Sequence, residues 1–234
     1  MNTRVLVIGG TRGTGLLIAS LLQDRGYRVR VLARDPAGAS RRLGNAIEVV
    51  AGDITKPATL PAAVRDVDHI VFTAGIHSAT YAPERAVKMT DHDGVLHTLA
   101  AAQSAGLRGR FLYMNSIGIE KWSVSAMLIN LLKRNTLVWR RRVEQAIRAS
   151  GLDYTIIRVG FLTNDPARTR GVIVGQDKLP LSPRNRIARA DVAEAFVAAL
   201  EHPKASRTTF EIVWGKGDLK QEWPARLERL VPDA

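Results

Sequence analysis

Residues 5–8 (Val-Leu-Val-Ile) run straight into Gly9-Gly10-Thr11-Arg12-Gly13-Thr14-Gly15, and that turn opens into the apolar periodic run 16–22. The order is a buried strand, a tight loop and a helix start, which leaves backbone N–H groups free to meet a phosphate. Gly9, Gly13 and Gly15 stand in the spacing G-x-x-x-G-x-G. A Cβ at these positions would block the approach of the backbone to a pyrophosphate and the packing of helix on strand. An ordinary glycine turn shares this outline. At the first strand-to-helix junction, with Thr11, Arg12 and Thr14 between the glycines, it points to a dinucleotide.

Strand and helix signals alternate along most of the remaining chain. That pattern predicts an α/β fold with a doubly wound, mostly parallel sheet of about seven strands and helices on both faces. Further strands are expected at 28–33, 47–50, 69–73, 110–115, 154–159 and 208–213. Helices are expected at about 83–105, 138–150, 190–201 and 219–230. The 234 residues, 46% hydrophobic and 24% charged, suit a single domain over 1–234, with a substrate or lid region near 117–135 and 161–187.

In such a sheet, ligands bind at the carboxyl ends of the strands near the topological switch point. The second strand ends Val31-Leu32-Ala33-Arg34, where a site for NAD would want an acid to hold the ribose 2′-hydroxyl. Arg34 instead offers a planar cation suited to a 2′-phosphate, and Arg12 can approach the same group. Asp35 is the one acid nearby, and its side chain should point away from Arg34. NADP(H) is therefore expected over NAD(H). After the third strand, Asp53 and Ile54 suit an adenine amino group and ring face, although Asp53 fits an Asx turn equally well. Thr73-Ala74-Gly75 closes the fourth strand, where a glycine lets the backbone lie under a ribose. The fifth ends Asn115-Ser116 and the sixth Arg158-Val159-Gly160-Phe161.

With these pieces in view, the chain resembles the short-chain dehydrogenase/reductase superfamily, and within it the atypical, NmrA-like NAD(P)H-binding branch. The matching segments are 9–15, 32–36, Gly52-Asp53-Ile54, 115–118, 150–158 and 187–193, in the expected order over nearly the entire chain. The resemblance implies a Rossmann-type fold. It implies that Arg34 reads the 2′-phosphate, that Asp53 and Ile54 hold the adenine, and that 73–75 lies at the ribose. It places Val159, Gly160 and Phe161 beside the nicotinamide.

The superfamily's carbonyl reductases use a Tyr-x-x-x-Lys pair, the tyrosine giving a proton to the developing alkoxide. Counted back from Glu144-Gln145-Ala146-Ile147-Arg148, the tyrosine position falls on Thr136 and the lysine position on Arg140. Threonine is no acid near neutral pH, and arginine stays charged. Arg140 fits a ribose or oxyanion holder, or a surface residue of the run 140–142. Its i,i+4 order with Glu144 is the less favourable one for simple helix support. Ser116 occupies the family's serine position and fits a hydrogen bond to a substrate carbonyl or to the nicotinamide amide, or a turn cap. Val159 replaces the family's usual proline. His77, Tyr81 and Tyr113 are the other candidate acids. The apolar segment 122–132, with Met127, Leu128, Leu131 and Leu132, is read first as core packing, and otherwise as a lid, a substrate wall or a dimer contact.

Other chemistries find no footing. The sequence has no cysteine, so disulfides and thiolate chemistry are excluded. It contains no G-x-S-x-G or H-E-x-x-H motif, and His92 and His97 are badly spaced for a shared metal, so no metal site is expected. The formal charge is +12, yet the arginines are scattered without a basic tail or aromatic platform, so specific nucleic-acid binding is not expected. No signal peptide or membrane span is read, and the expectation is a cytoplasmic monomer or homodimer. Two functions follow. One is a tyrosine-free NADPH-dependent reductase of small acceptors such as quinones, flavins or conjugated carbonyls. The other is an NmrA-like NADP(H)-sensing regulator that acts on a protein partner without turnover. An epimerase or dehydratase fits less well, because the chain is short and both dyad positions differ.

Overall fold

The computed structural model describes residues 3–76, 82–121, 123–132 and 134–234. Its strands are β1 (Arg4–Ile8), β2 (Arg28–Ala33), β3 (Glu48–Ala51), β4 (His69–Phe72), β5 (Arg110–Ser116), β6 (Asp153–Val159), β7 (Phe161–Thr163), β8 (Val172–Gly175), β9 (Arg186–Ala188) and β10 (Thr208–Trp214). The helices are α1 (Gly13–Asp24), α2 (Pro36–Leu43), α3 (Leu60–Val64), α4 (Glu84–Lys88), α5 (Gly94–Ser104), α6 (Val124–Leu132), α7 (Thr136–Ala149), α8 (Arg189–Glu201) and α9 (Trp223–Leu227). No helix among the described residues is long and apolar enough to cross a membrane.

The main sheet has eight strands in the order β3-β2-β1-β4-β5-β6-β10-β8. All neighbours are parallel except β10 and β8. Strand order reverses between β1 and β4, so the chain ends that leave Ile8 and Phe72 flank the crevice where such sheets bind ligands. The expected α/β doubly wound sheet is present, and the count of seven strands is corrected to eight. The addition is β8, an antiparallel edge that falls within residues 161–187. A separate parallel pair joins β7 to β9. These strands are short and carry few alternating positions, so periodicity alone did not separate them from loop.

Two apolar layers cover the sheet. One joins Ile18, Ala19 and Leu22 of α1 to Val192, Phe196 and Leu200 of α8. The other packs Leu60, Val95, Leu99, Val143 and Ile147 against β1, β4 and β5. Each fully buried aliphatic side chain contributes about 2 kcal/mol relative to exposure. Together the layers fix α1, α5 and α7 against the strand ends. Between α4 and α5 the helix widens into a π-turn over Met89–Asp93, which carries the buried Asp91. The expected helix at 83–105 is thus one rod with a local defect, of a kind often found at functional sites.

Candidate functional site

The glycine turn does two separable jobs. Gly9 has φ +90°, and a Cβ there would stand 2.7 Å from the Ala74 amide nitrogen. A Cβ on Gly15 would stand 2.2 Å from the Gly9 carbonyl oxygen. These two glycines let β1, the end of β4 and the start of α1 meet. Gly13, with φ +56°, faces open space: among the described residues outside its own helix and chain neighbours, only Arg189 Nε comes within 4 Å of the Cβ position, at 3.8 Å. The Thr73 amide and hydroxyl both donate to the Ile8 carbonyl, at 2.8 and 3.1 Å. Its side chain therefore ties β4 to β1 beneath the turn.

Above that packing, the start of α1 presents donors. No acidic side chain stands in its first turn, and its N-cap residue, Arg12, makes no side-chain capping bond. The first N–H groups of a helix have no partner within it. Thr14 is 5% exposed, yet its hydroxyl has no hydrogen-bond partner among the described residues. Open approach at Gly13, unmatched donors and an orphaned hydroxyl fit a dinucleotide's diphosphate.

At the end of β2, Asp35 caps α2, its Oδ1 accepting from the Gly38 amide at 3.0 Å. That leaves Arg34, exposed and near enough for its charge to act on Asp53. Asp53 forms the Asx turn, its Oδ1 receiving the Thr55 amide and hydroxyl, both at 2.9 Å. Burial pushes the Asp53 carboxyl up, but the Thr55 bonds and the Arg34 charge outweigh it and hold the group below its ordinary range. Ile54 is buried and packs on Gly94, whose Cβ position lies 2.8 Å from it. Its exposed surface is therefore small. Sequence reasoning missed Arg42, whose Nη1 donates to the Thr11 carbonyl at 3.4 Å.

Thr136 and Arg140 do come together, on a partner the sequence reading did not name. Thr136 Oγ1 donates to Asp91 Oδ2 at 2.7 Å, and Arg140 Nε lies 3.5 Å from the same oxygen. Asp91 Oδ1 accepts the Ile76 amide at 3.0 Å. A Cβ on Gly75 would stand 2.7 Å from Arg140 Nη2 and 3.2 Å from Asp91 Oδ1. Arg140 is thus held against the strand end expected under the ribose, and its reading as a surface residue is corrected.

The lower part of α7 explains why this stripe faces inward. Thr136, Arg140 and Glu144 recur every four residues and share one helix face. Glu144, 1% exposed, accepts from Arg158 Nε at 2.9 Å, Arg158 Nη2 at 2.7 Å and Asn115 Nδ2 at 2.7 Å. Arg158 also bonds Glu120 and lies 3.5 Å from Glu211. Burial would pull its guanidinium down, and the carboxylates more than reverse that, so it stays firmly charged. This buried network sets the rotation of α7 on β5 and β6. Arg140 therefore has no part in pairing with Glu144.

Ser116 Oγ donates to the Ile117 carbonyl at 3.0 Å, the turn-capping alternative. Val159 is buried opposite Ser116 in the β5–β6 register. A Cβ on Gly160 would meet the Asn185 carbonyl at 2.4 Å, and the Phe161 amide donates to the same oxygen at 2.8 Å. Phe161 packs on a small apolar cluster of Ile117, Leu137, Leu181 and Val213. Tyr113 is 2% exposed, and burial pushes its hydroxyl well above the ordinary tyrosine range. The core reading of segment 122–132 is corrected. Ala126 is buried and Ile129 packs on the small cluster, but Val124, Met127, Leu128, Leu131 and Leu132 are 50–71% exposed. His77, Tyr81 and Trp122 lie outside the described residues. His92 and His97 go to different partners, Asp93 and the Ile54 carbonyl.

A model of the NAD(P)H-binding family matches residues 9–203. Among curated relatives, sanguinarine reductase of Eschscholzia californica is 29% identical over 89% of this chain and 88% of its own. The uncharacterized sugar epimerase YhfK of Bacillus subtilis is 30% identical over 91% of this chain and 94% of its own. Among solved structures, the oxidoreductase ylbE of Lactococcus lactis superposes with a TM-score of 0.79 at 19% identity, covering 99% of this chain and all of that one. Fold, glycine turn and family match agree: the chain belongs to the NAD(P)H-binding family.

Proposed function

We propose that the chain is an NADPH-dependent reductase of small apolar or conjugated acceptors, of the quinone, flavin or enone type, working without a tyrosine acid. The observation that carries this reading is Arg140, a permanent cation fixed by Asp91 against Gly75 where a carbonyl reductase needs a group of adjustable pKa. Arg34 and Arg12 would hold the 2′-phosphate, and Gly9, Gly13, Thr14 and Gly15 the diphosphate. Asp53 and Ile54 would border the adenine, and Thr73, Ala74 and Gly75 the ribose. Val159, Gly160 and Phe161 would border the nicotinamide. The bound nicotinamide supplies a hydride.

The protein's own groups then have limited but definite tasks. Arg140 offers Nη2 to an oxygen that becomes negative as the acceptor is reduced, electrostatic stabilisation with no proton to give. Thr136 already donates its hydroxyl to Asp91, so it cannot protonate the product. The proton comes from water, which suits acceptors whose reduced forms are weak bases. A sanguinarine reductase among the relatives supports the reductase class.

The test is NADPH consumption, followed by absorbance, with a panel of quinones, flavins, enones and simple aldehydes. Turnover is expected with the first three and not with aldehydes. Consumption with none of them would overturn the proposal and select the second reading, an NADP(H)-sensing regulator. One observation favours that alternative: the exposed apolar stripe of α6 rides on the same cluster that holds Phe161.

A further inference from the structure

We infer that Arg189, the first residue of α8, clamps the diphosphate of the bound dinucleotide onto the first turn of α1. This rests on the dinucleotide reading above and assigns a residue that neither the glycine motif nor the dyad positions pointed to.

Arg189 Nε lies 3.8 Å from the Cβ position of Gly13, at the opening of α1. A helix's N-terminus carries partial positive charge, so a cation placed there is unfavourable unless an anion joins it. The protein supplies none: among the described residues Arg189 forms no ion pair, and its Nη1 donates to the neutral Asn164 Oδ1 at 2.7 Å. Asp191, the acid in the same turn of α8, is already bonded to the Arg168 amide and the Trp214 indole, at 2.7 and 2.9 Å. Arg42 Nη1 also reaches the Thr11 carbonyl, next to the N-cap of α1, so two guanidinium groups approach an end that repels them. A doubly charged diphosphate reconciles both.

Two further observations agree. Thr14, 5% exposed and in the first turn of α1, has a hydroxyl without a partner among the described residues, as does Thr163 beside Asn164. The small β7–β9 sheet also acquires a purpose. Its last register pair is Thr163 with Ala188, so the next residues on the two parallel strands are Asn164 and Arg189. The pairing sets them side by side, and Asn164 aims the guanidinium while leaving Nε and Nη2 for a ligand.

Dissociation constants for NADPH, NADH and adenosine 2′-monophosphate, measured by calorimetry on the wild type, R189Q, R189K and R34A, test this clamp. R189Q should weaken NADPH and NADH by the same factor, about 30-fold or more, the range for a lost charge-assisted contact. Adenosine 2′-monophosphate, which lacks the diphosphate, should bind R189Q as it binds the wild type, and R189K should recover most of the dinucleotide affinity. R189Q binding both dinucleotides like the wild type, or losing adenosine 2′-monophosphate equally, overturns the clamp. If R34A still loses NADPH selectivity, the dinucleotide reading survives that failure. A wild type that binds neither dinucleotide removes both.

Discussion

Arg140 and Asp91 form an ion pair inside the protein, with Nε 3.5 Å from Oδ2 and the two side chains 18% and 2% exposed. Burial alone would pull the guanidinium down, and the Asp91 charge more than reverses it. Breaking such a pair by removing one partner leaves an uncompensated charge, which costs about 3–5 kcal/mol, whereas removing both costs less. D91N should therefore destabilise the fold strongly in urea titrations. The double variant D91N/R140Q should be more stable than the sum of the two single effects. Strict additivity would mean that Arg140 finds its counter-charge elsewhere.

Arg34 is expected to set the choice of cofactor, because Asp35 is tied to the Gly38 amide and cannot hold a ribose 2′-hydroxyl. R34A should lose about 2–3 kcal/mol with NADPH and little with NADH, which reduces the preference by about 30- to 150-fold. Tryptophan or nucleotide fluorescence titration reads both constants. Equal wild-type affinity for the two nucleotides would contradict the assignment.

The glycines of the turn should separate by role. At Gly15 a Cβ would meet the Gly9 carbonyl at 2.2 Å, backbone against backbone, so G15A should cost about 2 kcal/mol or more in thermal or urea unfolding. At Gly13 the surroundings are open, and G13A pays only for its positive φ, about 1 kcal/mol. G13A should instead weaken nucleotide binding. A G13A protein less stable than G15A would reverse the assignment of packing and binding.

Much of this was legible in the residues themselves. The strand–glycine–helix junction placed the turn, and apolar runs located the parallel strands to within a residue or two. Arg34 and the altered dyad positions could be found by counting along the chain. Asp91 could not, because its meaning depends on a π-turn that rotates one acid toward two residues of a helix 45 and 49 positions later. Arg189 lies within the matching segment 187–193 but acquires its neighbour, Gly13, only through the packing of α8 on α1. Segment 122–132 misled for the opposite reason: composition records how apolar a helix is, not which side of it faces water.

His69 offers a pH test far from the nucleotide crevice. Its Nδ1 accepts the Arg110 amide at 2.9 Å at the entry of β5, so the proton of the neutral ring is on Nε2. Burial first, and then the Arg110 charge, hold it below the ordinary histidine value of 6.5. The unfolded chain therefore binds a proton more readily than the folded one as pH drops through 6.5, and stability must fall with pH in that window. Above it, both states are neutral and the effect vanishes. Asparagine can accept the same amide bond without titrating, so H69N should keep the strand contact and lose the pH slope. Urea midpoints measured from about pH 8 to about pH 5 should lie close together for wild type and H69N at the alkaline end and part at the acid end, where the wild type falls below H69N. Curves that stay parallel throughout would show that His69 does not carry the coupling.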